Sequence, residues 1–189
     1  MASKASIAQS CVQGITTAYS KYFELTGGLA LGWAPESFIQ TEIAAALFED
    51  RAVPYVSLES CVYETLDFAR KKSSGRPPSI RKGRFDIVGW TKAGAPSVIV
   101  EVKKAWRTIA INADAERLRK FLKQKGTTRL GLISVYSSAA SDDLLRKRMG
   151  DLARISKTRL AALQISEELN DPDGKKWFWC AACFEVPVK

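Results

Sequence analysis

The stretch RFDIVGWTKAGAPSVIVEVKK, residues 84–104, constrains this chain most. Two runs rich in apolar and β-branched residues flank KAGAP, a turn former. This pattern predicts strands over 85–91 and 97–104, joined as an antiparallel hairpin. Yet Asp86, Glu101 and Lys103 stand inside the strands, where apolar residues are preferred. Strand alternation puts Ile99, Glu101 and Lys103 on one side, and Val98, Val100 and Val102 on the other. On the first strand, Phe85 and Ile87 are expected to point away from Asp86. Closing the hairpin around KAGAP brings Asp86 opposite Glu101 or one residue off it.

Two carboxylates held that close repel unless a cation lies between them. A hard divalent ion with oxygen ligands satisfies them. An ammonium two residues further along the same strand can hold or activate a water. Asp, Glu and Lys so arranged suit metal-dependent hydrolysis of phosphodiesters. The competing reading is an edge strand whose Glu101 and Lys103 only discourage aggregation, but it leaves Asp86 unexplained.

The chain has 189 residues and no histidine. That removes Ser-His-Asp and Cys-His catalysis, and His-ligated metals. Cys11 and Cys61 are isolated in sequence, and Cys180 and Cys183 form a CxxC inside a strand-like run. Positions three apart on a strand face opposite ways, so these read as reduced core thiols.

The flanking segments supply the architecture. Residues 5–25 read as a helix stopped by Gly27-Gly28. A second helix starts at Pro35 and runs to about Asp50, with Phe38, Ile39, Ile43, Ala46 and Leu47 as its apolar face. PYVSLES, residues 54–60, reads as a strand, with helical character just after it. A helix follows the hairpin over 113–125, capped by Asn112 or Asp114. RLGLISVY, residues 129–136, has the near-continuous apolar character of a central parallel strand. A long helical stretch, breaking once near Gly150, is expected over 141–170. A last strand closes the chain. The order predicts a single α/β domain over 1–189, with a central mixed β-sheet flanked by helices.

At this point Asp86, fourteen intervening residues and Glu101-Val102-Lys103 resemble the D-xₙ-ExK signature of the PD-(D/E)xK phosphodiesterase superfamily. The context is similar too: a helix, Asp on the first hairpin strand, ExK on the second, then a helix and an apolar strand. The resemblance covers about residues 36–136. Gly-Arg-Phe precedes Asp86 where a Pro gives the family its name. The resemblance implies a restriction-endonuclease-like core over about 36–136, with extra N- and C-terminal helices and the C-terminal strand as an addition. It implies a nuclease, endonuclease before exonuclease, acting on DNA by default. Asp86, Glu101 and the Val102 carbonyl would bind Mg²⁺, with Mn²⁺ as a substitute. Lys103 would orient or activate the attacking water. Many members add a Glu from the helix before the sheet; Glu42 is the best match, and Glu59 on the preceding strand is the other candidate. The alternative is the same fold used as a catalytically silent nucleic-acid-binding or partner-binding module.

Charge bears on partners. Twenty-nine Lys+Arg against 20 Asp+Glu give a formal charge of +9. A nucleic-acid backbone is the commonest partner for such an excess, a membrane surface is the main competitor, and an inert basic surface is the bland reading. Residues 70–84, RKKSSGRPPSIRKGR, read as an exposed, mobile loop. Its Arg76, Arg81, Lys82 and Arg84 are candidate phosphate contacts leading into Asp86. Lys104, Arg117 and Lys120 are further candidates, each as readily an ordinary solvated side chain. Trp106 could stack a base, though core packing competes. No apolar run approaches a membrane span. The expectation is a cytoplasmic protein, with a homodimer or a larger complex open as its assembly.

Overall fold

The computed structural model describes residues 2–70, 83–104, 108–124, 126–170 and 173–188. Ser3 opens α1 (Lys4–Thr26) by accepting the Ser6 N–H at 3.0 Å. Gly27 ends the helix in the left-handed region, φ 68°, where a glycine carries no Cβ penalty. A 3₁₀ turn at Leu31–Trp33 leads to Pro35, which caps α2 (Glu36–Glu49). Gly14 lets these two helices touch: a Cβ there would lie 2.5 Å from the Ile43 Cα.

The remaining elements are β1 (Tyr55–Cys61), α3 (Val62–Arg70), β2 (Arg84–Trp90), β3 (Pro96–Lys104), α4 (Thr108–Leu122), β4 (Leu130–Ala139), α5 (Asp142–Ser156), β5 (Arg159–Ile165), β6 (Leu169–Asn170) and β7 (Lys176–Glu185). The sheet runs β1-β2-β3-β4-β7-β5, with β6 paired to β7. Only β3 and β4 run parallel, and α4 forms the crossover between them. The molecule is therefore α/β: five helices packed against an open, mixed, seven-strand sheet among the described residues. No helix among them is long and apolar enough to cross a membrane.

Each face of the sheet carries its own core. On one, Val12, Ile15, Ile39, Ile43 and Leu47 from α1 and α2 cover Ile87, Val98, Val100 and Val102. On the other, Leu66, Ala115, Leu118, Phe121, Leu145 and Met149 cover Phe85, Val88, Ile99 and Ile133. The valine face of β3 is thus a plain core face, as alternation predicts. Cys180 and Cys183 divide between the two cores in the same way, and all four cysteines are free thiols.

Four expectations need correction. Residues 157–170 are not helical. Lys157 takes φ 52° and stops α5, and RLAALQI then pairs with β7 as an edge strand. Its Leu, Ala and Gln favour helix intrinsically, but pairing with a neighbouring strand overrides such weak preferences. The helix also passes through Gly150 without a break. Second, α4 starts at Thr108, so Asn112 and Asp114 lie within it rather than at its cap. Third, β7 sits between β4 and β5, so the C-terminal strand is an inner part of the sheet and not an addition to it. Fourth, Phe85 and Ile87 do not share a face: they belong to opposite cores. The alternation slips by one residue at Asp86.

Candidate active site

That slip is where the site is built. The β2–β3 ladder pairs Val88 with Ile99 and Ile87 with Val100. The same register would put Asp86 opposite Glu101. Instead of a backbone rung there, the Val102 N–H donates to Asp86 Oδ2 at 2.7 Å. The carboxylate replaces a strand carbonyl and is held at the end of the ladder. On the other side, β1 pairs Leu58 with Ile87 and Ser60 with Phe85, so Glu59 falls level with Asp86. Glu59 has φ 50°, a left-handed conformation that costs an L-residue roughly 1–2 kcal/mol. Glu59 and Glu36 both act on Asp86 electrostatically and raise its pKa.

Lys103 and Arg117 bind these acids together. The Lys103 ammonium donates to the Val102 carbonyl at 2.9 Å. It lies 3.3 Å from Asp114 Oδ2 and 3.8 Å from Asp86 Oδ2. Arg117 Nη2 lies 2.6 Å from Glu101 Oε1 and 3.1 Å from Asp114 Oδ1. Glu101 is 1% exposed, and its Oε1 has no aligned hydrogen bond despite that short contact. Distance governs Coulomb attraction while N–H direction governs hydrogen bonding, so the contact is an ion pair only.

Burial, then the Asp86 charge, push the Glu101 carboxyl up to about 8, with Arg117 pulling the other way. Burial also raises Asp86, against the Val102 N–H and Lys103, which favour its ionised form. Lys103 shows the complementary balance. Burial lowers it, but Asp114, Asp86, Glu101 and Glu36 together outweigh burial and raise it. The two carboxyls are raised by burial first, and Lys103 by the acids around it. Among the described residues, Glu36, Glu59, Asp86, Glu101 and Asp114 outnumber Lys103, Lys104 and Arg117 by two formal charges when every carboxyl is ionised, and by one while Glu101 keeps its proton.

The donor residues themselves test the metal expectation. No group of three His, Cys, Asp or Glu able to hold a metal converges among the described residues. The protein donors the sequence reading offers would then be two carboxylates, Asp86 and Glu101, plus the Val102 carbonyl. Few hard oxygen ligands, the rest being water, suit Mg²⁺. The set fits, on condition that Lys103 releases the carbonyl and Arg117 releases Glu101.

The other candidates fall in different places. Glu42 is held by Lys21 Nζ at 2.8 Å and ties α2 to α1. The α2 acid at the site is Glu36, whose Oε1 lies 3.4 Å from the Lys104 backbone N. A helical wheel gives a direction around the axis, not which neighbour lies there. Lys104 directs its ammonium to the Gly32 and Ala34 carbonyls, at 3.1 and 2.8 Å, so it anchors the 3₁₀ turn. Arg117, a candidate phosphate contact, belongs to the acid cluster instead. Lys120 is exposed and, with Arg119, Lys123 and Lys157, lines a groove of about 680 Å³ between α4 and α5. Arg84 is exposed at the start of β2. Arg76, Arg81, Lys82 and Trp106 lie outside the described residues.

Sequence reasoning missed Glu36, Asp114 and the role of Arg117. The last two had a signal: Asp114 and Arg117 are three apart on one helix, so they share a face. Comparison of the chain with protein-family models, curated proteins and solved structures finds no match. The functional reading therefore rests on the residues and their geometry.

Proposed function

We propose that this chain is a metal-dependent nuclease with a restriction-endonuclease-like core, an endonuclease acting on DNA with Mg²⁺ or Mn²⁺. The observation that carries the reading is the convergence of Asp86, Glu101 and Lys103 at the point where β2 and β3 part.

Hydrolysis bonds a water oxygen to phosphorus, breaks the bond from phosphorus to one sugar oxygen, and delivers a proton to that departing oxygen. A bound divalent ion supplies Lewis acidity and lowers the pKa of water. Asp86 and Glu101 would hold that ion, with the Val102 carbonyl. Lys103 is kept as an ammonium by the surrounding carboxylates, so it positions water and phosphate oxygens by donating hydrogen bonds and does not act as the base. The +9 charge of the chain supplies attraction to a phosphate backbone.

One observation favours a second reading, a catalytically silent binding module. Lys103 and Arg117 pair with the site acids and offset their charge. A cleavage assay separates the two readings. Plasmid, linear, single-stranded and branched DNA, and RNA, are incubated with titrated Mg²⁺ or Mn²⁺. Cleavage that vanishes in Asp86→Ala and Glu101→Ala while binding persists supports the nuclease. Equal behaviour of wild type and Asp86→Ala on every substrate leaves the silent module.

A further inference from the structure

We propose that Arg117 is a displaceable counter-ion: a divalent cation takes Glu101 from it, and Asp114 retains the freed guanidinium to hold a phosphate oxygen of the substrate. This inference rests on the metal-dependent reading above and adds a residue to it.

The argument starts from one oxygen. Glu101 Oε1 is buried, and Arg117 Nη2 lies 2.6 Å from it. A metal ligated by Glu101 and the guanidinium would meet at the same carboxylate and repel. One of them has to give way. Arg117 has a second seat already in contact, Asp114 Oδ1 at 3.1 Å, on its own helix. Movement from one carboxylate to the other needs only a side-chain adjustment and no shift of α4. The guanidinium also has donor capacity to spare. Its Nε is buried with no acceptor, although a guanidinium offers five N–H donors in one plane. The Phe85 ring lies 5.7 Å from Arg117 Cζ and supports that plane. Planar guanidinium donors suit phosphate oxygens.

Asp114 is then a positioning residue. Its two oxygens hold Lys103 and Arg117 separately. It keeps both cations beside the metal ligands without being a ligand itself.

The test is calorimetric titration of Mn²⁺ and Mg²⁺ into the full chain, with no nucleic acid present. Variants are Arg117→Ala, Asp114→Asn, their double and Asp86→Ala. Removing the competitor should tighten metal binding roughly tenfold. Asp114→Asn should weaken it, and weaken it less in the Arg117→Ala background, because part of its effect runs through Arg117. With metal saturating, Arg117→Ala should then bind a phosphorothioate DNA duplex more weakly than wild type. Arg117→Gln, which keeps a neutral donor near Glu101, is expected to match Arg117→Ala and serves if the alanine variant does not fold. Metal binding that depends on Asp86 but is unchanged or weaker in both Arg117 variants overturns this inference and leaves the nuclease reading standing. An equal cost of Asp114→Asn in both backgrounds overturns the second-seat role. If neither the wild type nor any variant binds either metal, the nuclease reading and this inference fall together.

Discussion

Asp86 Oδ2 accepts the Val102 N–H across 2.7 Å, so a metal-ligand candidate is also a structural part of the sheet. Asp86→Ala leaves that N–H unpaired in a largely buried place, a loss of about 1–3 kcal/mol. Asp86→Asn keeps an acceptor and removes a charge that burial disfavours. It should be at least as stable as wild type. Both should lack cleavage. Denaturant midpoints therefore rank the two variants apart while the nuclease assay ranks them together. Equal stability of the pair would contradict the structural role.

Glu101 gives the protein a pH dependence whose sign follows from its environment. Its folded-state pKa, about 8, lies above the ordinary 4.5 because of burial first and Asp86 second. The folded state therefore holds a proton that the unfolded chain releases. Stability from this group is full below about 4.5 and is lost as pH rises to about 8. The amount is on the order of a few kcal/mol. Urea unfolding with a chelator present, from about pH 5 to pH 8.5, should show wild type weakening with pH. Glu101→Gln should be flatter, and a wild-type slope no steeper than the variant's would count against the buried carboxyl.

Lys103→Met separates catalysis from metal binding. The ammonium is a neighbour of the candidate ligands, and its removal lessens positive charge at the site. Metal affinity should hold or tighten. Cleavage should fall by roughly 10²–10³, the usual loss when one charge-stabilising donor is removed. Single-turnover rates at saturating metal measure this, and a variant that merely needs more metal would refute the assignment.

Glu36 and Glu42 lie on the same helix but should behave differently. Glu36 acts on Asp86 and Lys103, whereas Glu42 pairs with Lys21. Glu36→Gln should lower metal affinity severalfold. Glu42→Gln should leave metal affinity and cleavage unaltered. The reverse order, read by metal titration, would restore Glu42 as the α2 acid of the site.

Much of this was readable from the residues. The hairpin, the valine core face and the division of Cys180 from Cys183 follow from period-two alternation, a local property of extended backbone. The meeting of Asp86 with Glu101 and Lys103 follows from hairpin closure over a short turn, which leaves little freedom in register. Gly27 and Ser141 mark helix ends because their side chains, or the lack of one, act on the nearest backbone groups. Such features need only neighbours close in the chain.

The rest depended on partners distant in sequence. RLAALQI becomes β5 because β7 offers it an edge to pair with. Arg117 faces Glu101, and Asp114 faces Lys103, because α4 crosses back over β3 on its way to a parallel β4. Glu36, not Glu42, reaches the site because Gly14 and Ile43 set how α2 lies against α1 and the sheet. The sequence by itself determined the Asp86, Glu101 and Lys103 trio. Tertiary packing decided which other charges surround it, because Coulomb interactions depend on distance in space and local periodicity carries no information about that.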